Sequence, residues 1–341
     1  MARKTRGIVT LIKEEATYNV APAFSDSDVV LTAKADVAPK VDTVERKALS
    51  CSLITEAGIP VRFTASGSID VEMMADTDAD GHPQMYADVL YVAAMGEKNV
   101  ATGANGTGGF IGKTSDGSTD VNEINEADAD HAGDATIYKV KDGDKTSIAI
   151  KKFYDSGDAV LVATGLVVSK MDLNFTQADI LLASFSLEGA GYETETGQTK
   201  PACVIPSGTP FVGKNAKFTY KNNTVNAQNI TISVENKVTS VESITAEGYI
   251  DKVFIEKSIT GQFTVLFEDF SYLEDLTNQT IGELFLDIPK GSQHIGAYCP
   301  RIKVTDTQIN DNSNGLIEVT VSFKAEKDSN RNEVLYLGVK A

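Results

Sequence analysis

The chain has 341 residues, and 48 Asp and Glu against 31 Lys and Arg give it a formal charge of −17. That length suggests about two domains, and 42% hydrophobic with 23% charged residues excludes wholesale disorder. The acidic excess excludes a sequence reader of nucleic acid, which needs a basic footprint to displace counterions, and no run of apolar residues is long enough for a transmembrane helix.

Taken in order, the start is basic, with Arg3, Lys4 and Arg6, but only Ile8, Val9, Leu11 and Ile12 follow before Lys13. That is too little for a signal-peptide core, so the chain is expected to stay in the cytosol where it is made. From Val61 to Met73 apolar and polar residues alternate, with Phe63, Ala65, Gly67, Ile69 and Val71 set against Arg62, Thr64, Ser66, Ser68, Asp70 and Glu72. Period two over that length predicts a strand with one buried face. Pro83 to Met95 places Met85, Val89 and Val92 on one face and closes at Gly96, which predicts an amphipathic helix. A Gly-rich run, 103–109, leads into 114–134, where Asp116, Asp120, Glu123, Glu126, Asp128, Asp130 and Asp134 have no Lys or Arg among them. A solvated insertion over 97–135 is expected there, poorly ordered in the monomer.

Alternation then resumes at Ile148/Ile150, Met171/Leu173/Phe175 and Leu181/Ala183/Phe185/Leu187. Asp142-Gly143 predicts a hairpin turn between Ile137/Val140 and Ile148/Ile150. Residues 193–210 are polar and hold three prolines, marking a linker. Beyond it come Ile230/Ile232/Val234, then Ile259 to Phe267, a weaker helix on Phe270, Leu273 and Leu276, and the strands Ile302/Val304 and Ile317 to Phe323. The loop 310–315 joins these last two as a hairpin. Both halves therefore run strand, short helix, strand pair, and one β module is read as repeated. The expected division is 1–50 for an N-terminal arm and first strands, 51–192 for the first module, 193–210 for the linker and 211–341 for the second module.

Motifs for chemistry are sparse. Asp76, Asp78 and Asp80 before Gly81 open like a calcium loop, but its twelfth position is Ala87 and not a bidentate glutamate. They are the weak metal candidates, and a solvated acidic turn is the competing reading. The glycine run lacks a following Gly-Lys-Ser/Thr, no Gly-x-Ser-x-Gly occurs, and His82, His131 and His294 form no metal-binding pattern. No cofactor and no enzymatic activity are expected. Cys51, Cys203 and Cys299 are too few and too far apart for a disulfide framework and read as small buried residues.

The order of segments resembles the tail tube proteins of long-tailed bacteriophages, in particular the larger two-module type. The resemblance is carried by Gly67–Met73, Asp88–Gly96, Gly165–Phe175 and Leu182–Gly189 in the first half, and by Ile230–Asn236, Ile259–Asp269 and Cys299–Val304 in the second. It implies a mainly β fold of two tandem β-barrel or sandwich modules, each with a short helix, plus long loops. It also implies a structural virion protein, made in the host cytoplasm, that assembles with itself and with other tail proteins into stacked rings forming a tube for DNA ejection. With two modules per chain, three chains would close a pseudo-sixfold ring, a hexamer being the alternative. DNA would pass without sequence-specific binding, and no membrane is involved. Alternation offers Lys170, Asp172, Asn174, Thr176, Ser184 and Ser186 as lumen-lining candidates, with Lys303 and Thr305 from the matching strand. Arg3, Lys4 and Arg6 are candidates for contact between rings. The competing reading is an acidic β-sandwich binding module, such as a capsid decoration or adhesion domain, and a calcium-dependent hydrolase on a β scaffold is the enzymatic one.

Overall fold

The structure is a computed structural model that describes residues 7–45, 58–101, 135–141, 145–154, 158–203, 206, 208–221, 223–244, 249–311, 315–327 and 334–340. The fold is mainly β. Eight antiparallel strands lie side by side in one sheet, in the order Lys34–Val44, Ile59–Glu72, Leu182–Glu188, Val160–Thr176, Ala227–Glu242, Tyr249–Leu266, Ile317–Ala325 and Gln293–Asp311. The last four repeat the arrangement of the first four: a two-stranded ribbon, then a ladder whose later strand abuts the ribbon. Helix α1, Asp88–Met95, follows the first ribbon, and helix α2, Ser271–Asn278, follows the second.

The repeat extends to the irregularities. Each ladder has a register step at one place, between Val168 and Lys170 in the first and between Val304 and Asp306 in the second. Each ribbon steps too, at Asp42/Thr43 and at Lys237/Val238. These two steps, the second being one of three in its ribbon, fall equally far from a strand glycine, Gly67 opposite Val37 and Gly261 opposite Ile232. These glycines are placed where backbone or a ring closes in. A Cβ on Gly67 would lie 1.8 Å from the Asp36 carbonyl oxygen, and one on Gly261 would meet Phe323 at 2.4 Å. Gly67→Ala is therefore expected to lower unfolding free energy by about 2 kcal/mol or more, read as a shifted midpoint in chemical denaturation.

The long ladder strands fork between sheets. Val160–Thr164 pairs with Gly191–Glu195 on one side, while Ile148–Tyr154 lies on the other with Ile8–Glu14 beyond it. Gln293–Lys303 pairs likewise with Ile281–Lys290, and His294–Tyr298 with Tyr336–Lys340. Among the described residues these pairings branch without returning on themselves, so the architecture is sandwich-like and not a closed barrel. One apolar cluster runs through both halves, from Ile69, Phe185 and Met171 to Ile232, Phe263 and Phe323. The apolar sides of the alternating strands supply it, which is why Phe185, Phe263 and Phe323 are all nearly solvent-free.

Several expectations are corrected. The helix does not begin at Pro83. Pro83–Met85 is a short strand paired with Ala75–Thr77, and Ala87 at φ 61° turns the chain before α1 starts at Asp88. The Asp142-Gly143 turn lies outside the described residues, and the strands flanking it do not form a hairpin. Ala135–Val140 pairs with Gly96–Ala101 and Tyr336–Lys340, while Ile148–Tyr154 pairs with Ile8–Glu14 and the strand from Val160. Both are interior strands, each already occupied on two edges. Residues 97–101 and 135, expected in a solvated insertion, are ladder residues of that first pairing. Cys299 is buried as expected, with its thiol pushed up to about 12 by desolvation, but Cys203 is exposed and Cys51 lies outside the described residues. Helix α2 and the hairpin from Gln293–Asp311 to Ile317–Ala325 are as expected. No helix among the described residues is long and apolar enough to cross a membrane.

Candidate functional site

The face of the eight-stranded sheet turned away from the core is polar from one edge to the other. Lys170, Asp172 and Asn174 stand opposite Ser186, Ser184 and Leu182 on one side, and opposite Glu235, Ser233 and Thr231 on the other. Thr231 and Ser233 in turn face Gln262 and Thr260, which face Ser322 and Lys324. Strand alternation produces this directly: with Leu173, Ile232, Phe263 and Val321 in the core, their neighbours must point the other way. Lys170, Asp172, Asn174, Ser184, Thr231, Ser233 and Gln262 line an open depression of about 600 Å³ on this face.

Its polar groups are largely satisfied among themselves. The Ser233 hydroxyl donates to the Asp172 carboxylate, and Lys170 Nζ lies 2.9 Å from the same carboxylate. Lys34 pairs with Asp36 at 4.0 Å on the edge strand. At the far margin Lys303 Nζ sits 3.1 Å from Glu326, whose carboxyl is held below its usual range by hydrogen bonds from Lys303 and Arg301. Carboxylates thus accompany Lys34, Lys170 and Lys303, and hydroxyls and amides fill the ground between them. Such a face offers phosphates few uncommitted cations.

All eight sequence-predicted candidates are on described strands, and the first six form one contiguous patch with Thr176 at its end. Lys303 and Thr305 lie beside the register step of the second ladder, where the Thr305 hydroxyl donates to the Ser322 carbonyl. The residues that correspond to Lys170 and Asp172 across that step are Asp306 and Gln308, opposite Ser322 and Thr320. Sequence reasoning missed these two, and also Thr231, Ser233, Thr260 and Gln262. The last four were recoverable, since they alternate with the apolar residues already assigned to those strands.

The acidic turn is held by its own backbone. Asp78 accepts backbone N–H bonds from Asp80 at 3.0 Å and from His82 at 2.8 Å, and the His82 bond is the main reason its carboxyl is held down. Asp76 lies on a short strand opposite Gln84. Among the described residues no three His, Cys, Asp or Glu side chains converge as metal ligands. Arg3, Lys4 and Arg6, and the acidic stretch 114–134, lie outside the described residues.

Among the described strands, both edges of the eight-stranded sheet remain open along part of their length. On the Lys34–Val44 strand, Ala35, Val37 and Pro39 turn their backbone groups outward, because the intervening residues pair with Ile59–Glu72, and of these the Ala35 carbonyl already accepts from Lys152 Nζ at 2.5 Å. On the opposite edge, Gln293–Asp311 runs past the end of Ile281–Lys290, so Asp306–Asp311 has a neighbour only on the Ile317–Ala325 side among the described strands. There the Thr307 N–H turns to the Asp306 carboxylate at 2.9 Å. No curated protein matches the chain. The model of one family, described as phage tail tube protein, matches residues 5–325. With nearly the whole length covered, and a β-rich architecture beneath it, this chain belongs to the phage tail tube protein family.

Proposed function

We propose that this chain is a structural subunit that joins copies of itself edge to edge into rings, and that stacked rings form the tail tube through which DNA leaves the capsid. One observation carries the reading: the chain already contains one complete junction and the two unfilled halves of another. Inside the chain, the later part of the first ladder, Lys170–Thr176, is paired with the second ribbon at Asn229–Glu235. Among the described residues, the matching part of the second ladder, Asp306–Asp311, has no ribbon beside it, and the matching strand of the first ribbon, Lys34–Lys40, has no ladder beside it. Joining these edges between copies repeats the internal junction and removes both open edges.

The internal register transfers residue by residue. Leu173 opposite Ile232 becomes Ile309 opposite Val37 of a second copy, and Lys170 opposite Glu235 becomes Asp306 opposite Lys40. That last pair is attractive. Pro39 withholds one N–H, so this junction has one ladder bond fewer than the internal one. With 51–192 and 211–341 as equivalent modules, three chains complete a pseudo-sixfold ring. The polar face, Lys170, Asp172, Asn174, Thr176, Ser184 and Ser186 included, then lines the channel, with Lys303 and Thr305 at its margin. We assign Arg3, Lys4 and Arg6, which lie outside the described residues, to the contact between rings, where opposite charge on the acidic stretch would meet them. The role is a non-enzymatic one in the virion tail, shared with other tail proteins.

Electron microscopy of the purified full-length chain tests this. Hollow rings or tubes with three chains per layer are expected. A protein that stays monomeric at high concentration, or a layer of six chains, contradicts the reading.

A further inference from the structure

We propose that the first ribbon is a docking arm that seats Val41 and Phe63 on helix α2 of a second copy of this chain; this rests on the edge-to-edge assembly proposed above. The inference starts from how the second ribbon is bedded. Asn236 and Lys257, opposite one another, occupy the place in the second ribbon that Val41 and Phe63 hold in the first, measured from Gly261 and Gly67. Asn236 is 1% exposed, and its Nδ2 donates to the Ala94 carbonyl at 2.9 Å and to the Val168 carbonyl at 3.0 Å. Lys257 Nζ donates to the Met95 carbonyl at 3.2 Å and to the Lys141 carbonyl at 2.8 Å. The second ribbon therefore caps the C-terminal end of α1, whose last carbonyls would otherwise need other partners. Farther out, Lys252 meets Glu188 at 3.2 Å, Lys145 meets Asp251, and Arg62 meets Glu242 at 2.9 Å while lying over the Tyr249 ring.

The other ribbon and the other helix lack this cover. In α1 the residues Leu90, Tyr91, Ala93, Ala94 and Met95 are all buried, but in α2 the only buried residue is Asp275. Leu273 is 41% exposed and Phe270, just before the helix, 57%. On the first ribbon Val41 is 43% and Phe63 40% exposed, and Val61 and Ile59 beside them more so. The apolar alternation that forms core from Ala65 onward thus continues past the core along the arm. Among its described residues one chain presents a ribbon without a helix and a helix without a ribbon, both apolar where they would meet. If Lys34–Lys40 of one copy pairs with Asp306–Asp311 of another, the arm continues beyond that joint toward the second copy's α2, as the second ribbon continues over α1. A second copy is therefore the occupant that fits, and the contact buries apolar surface which a soluble monomer leaves in water.

The test uses the full-length chain in sedimentation and electron microscopy. Val41→Lys and Leu273→Lys each place an unpaired charge in the contact and are expected to lower the assembled fraction about tenfold or more at fixed concentration. Combining Val41→Lys with Leu273→Glu is expected to restore most of it. Both positions are open to solvent in the monomer, so thermal unfolding should stay cooperative. If Val41→Lys nevertheless misfolds, Leu273→Lys, on the other surface, decides alone. Assembly of both lysine variants at the wild-type level, while Ile309→Pro blocks it, overturns the docking arm and leaves the edge junction standing. A wild-type chain that never assembles overturns both.

Discussion

Ile309→Pro is expected to abolish assembly and leave a folded monomer. Residues 306, 308 and 310 pair with Ile317–Ala325, so the N–H of Ile309 points to the open edge and takes no part in that ladder. Proline there removes the donor and thrusts its ring at any incoming strand, as edge prolines in natural sheets do. Its effect on the monomer should be small, within about 1 kcal/mol, because the residue is 46% exposed and sits on an edge. The same change at Leu173, the equivalent position of the internal junction, strikes a fully buried residue between two strands. Leu173→Pro should therefore unfold the chain or keep it from folding. Circular dichroism with analytical ultracentrifugation separates the two results. An Ile309→Pro chain that still forms rings would mean that the copies join elsewhere.

A second large effect is expected from making the polar face basic. Ser184, Ser233 and Gln262 lie near one another on it, and none belongs to the core. Changing all three to Lys should leave ring formation intact, because their side chains face away from both the core and the proposed joint. It should convert a surface with few uncommitted cations into one that holds phosphates. Tubes of the variant are expected to retain duplex DNA at low salt and release it as salt rises, with a log–log slope of about −0.9 per phosphate neutralised. Particles carrying it should eject their DNA more slowly. Wild-type tubes that bind DNA with a steep salt dependence, or variant tubes that do not bind it, would remove this face from the channel.

Much of this was legible in sequence wherever a strand has one wet and one dry face. The runs through Ile69, Leu173, Phe185, Ile232, Phe263 and Val321 show their alternation plainly, and every one is a strand. The polar candidates on Val160–Thr176 and Leu182–Glu188 follow from the same parity. Sequence was silent where parity fails. Val160 to Val168 is buried throughout, because here the long strand forms part of a sandwich covered on both faces, and alternation has nothing to mark. The step between Val304 and Asp306 inserts one residue, so parity carried on from Ile302 and Val304 points to Lys303 and Thr305 and misses Asp306 and Gln308 beyond it. Ala87 held at φ 61° put the start of α1 five residues beyond Pro83, with no glycine or asparagine to announce the turn. Asp142-Gly143 is a turn signal in sequence, but local chemistry cannot say that the strands flanking it already have two partners each.

The charges at the matched positions bear on selectivity. Within the chain Lys170 faces Glu235, whereas the joint between copies would set Asp306 against Lys40. The sign is reversed along with the place. A crossed joint, in which the first ribbon of one copy displaced the second ribbon of another from its ladder, would bring Lys40 against Lys170. The converse error would bring Glu235 against Asp306. Each mistake meets like charge at the same rung, while each correct joint meets opposite charge. Under the proposed joint two otherwise interchangeable seams would thereby be keyed, and a newly made chain would discriminate against swapping its own halves with those of its neighbours.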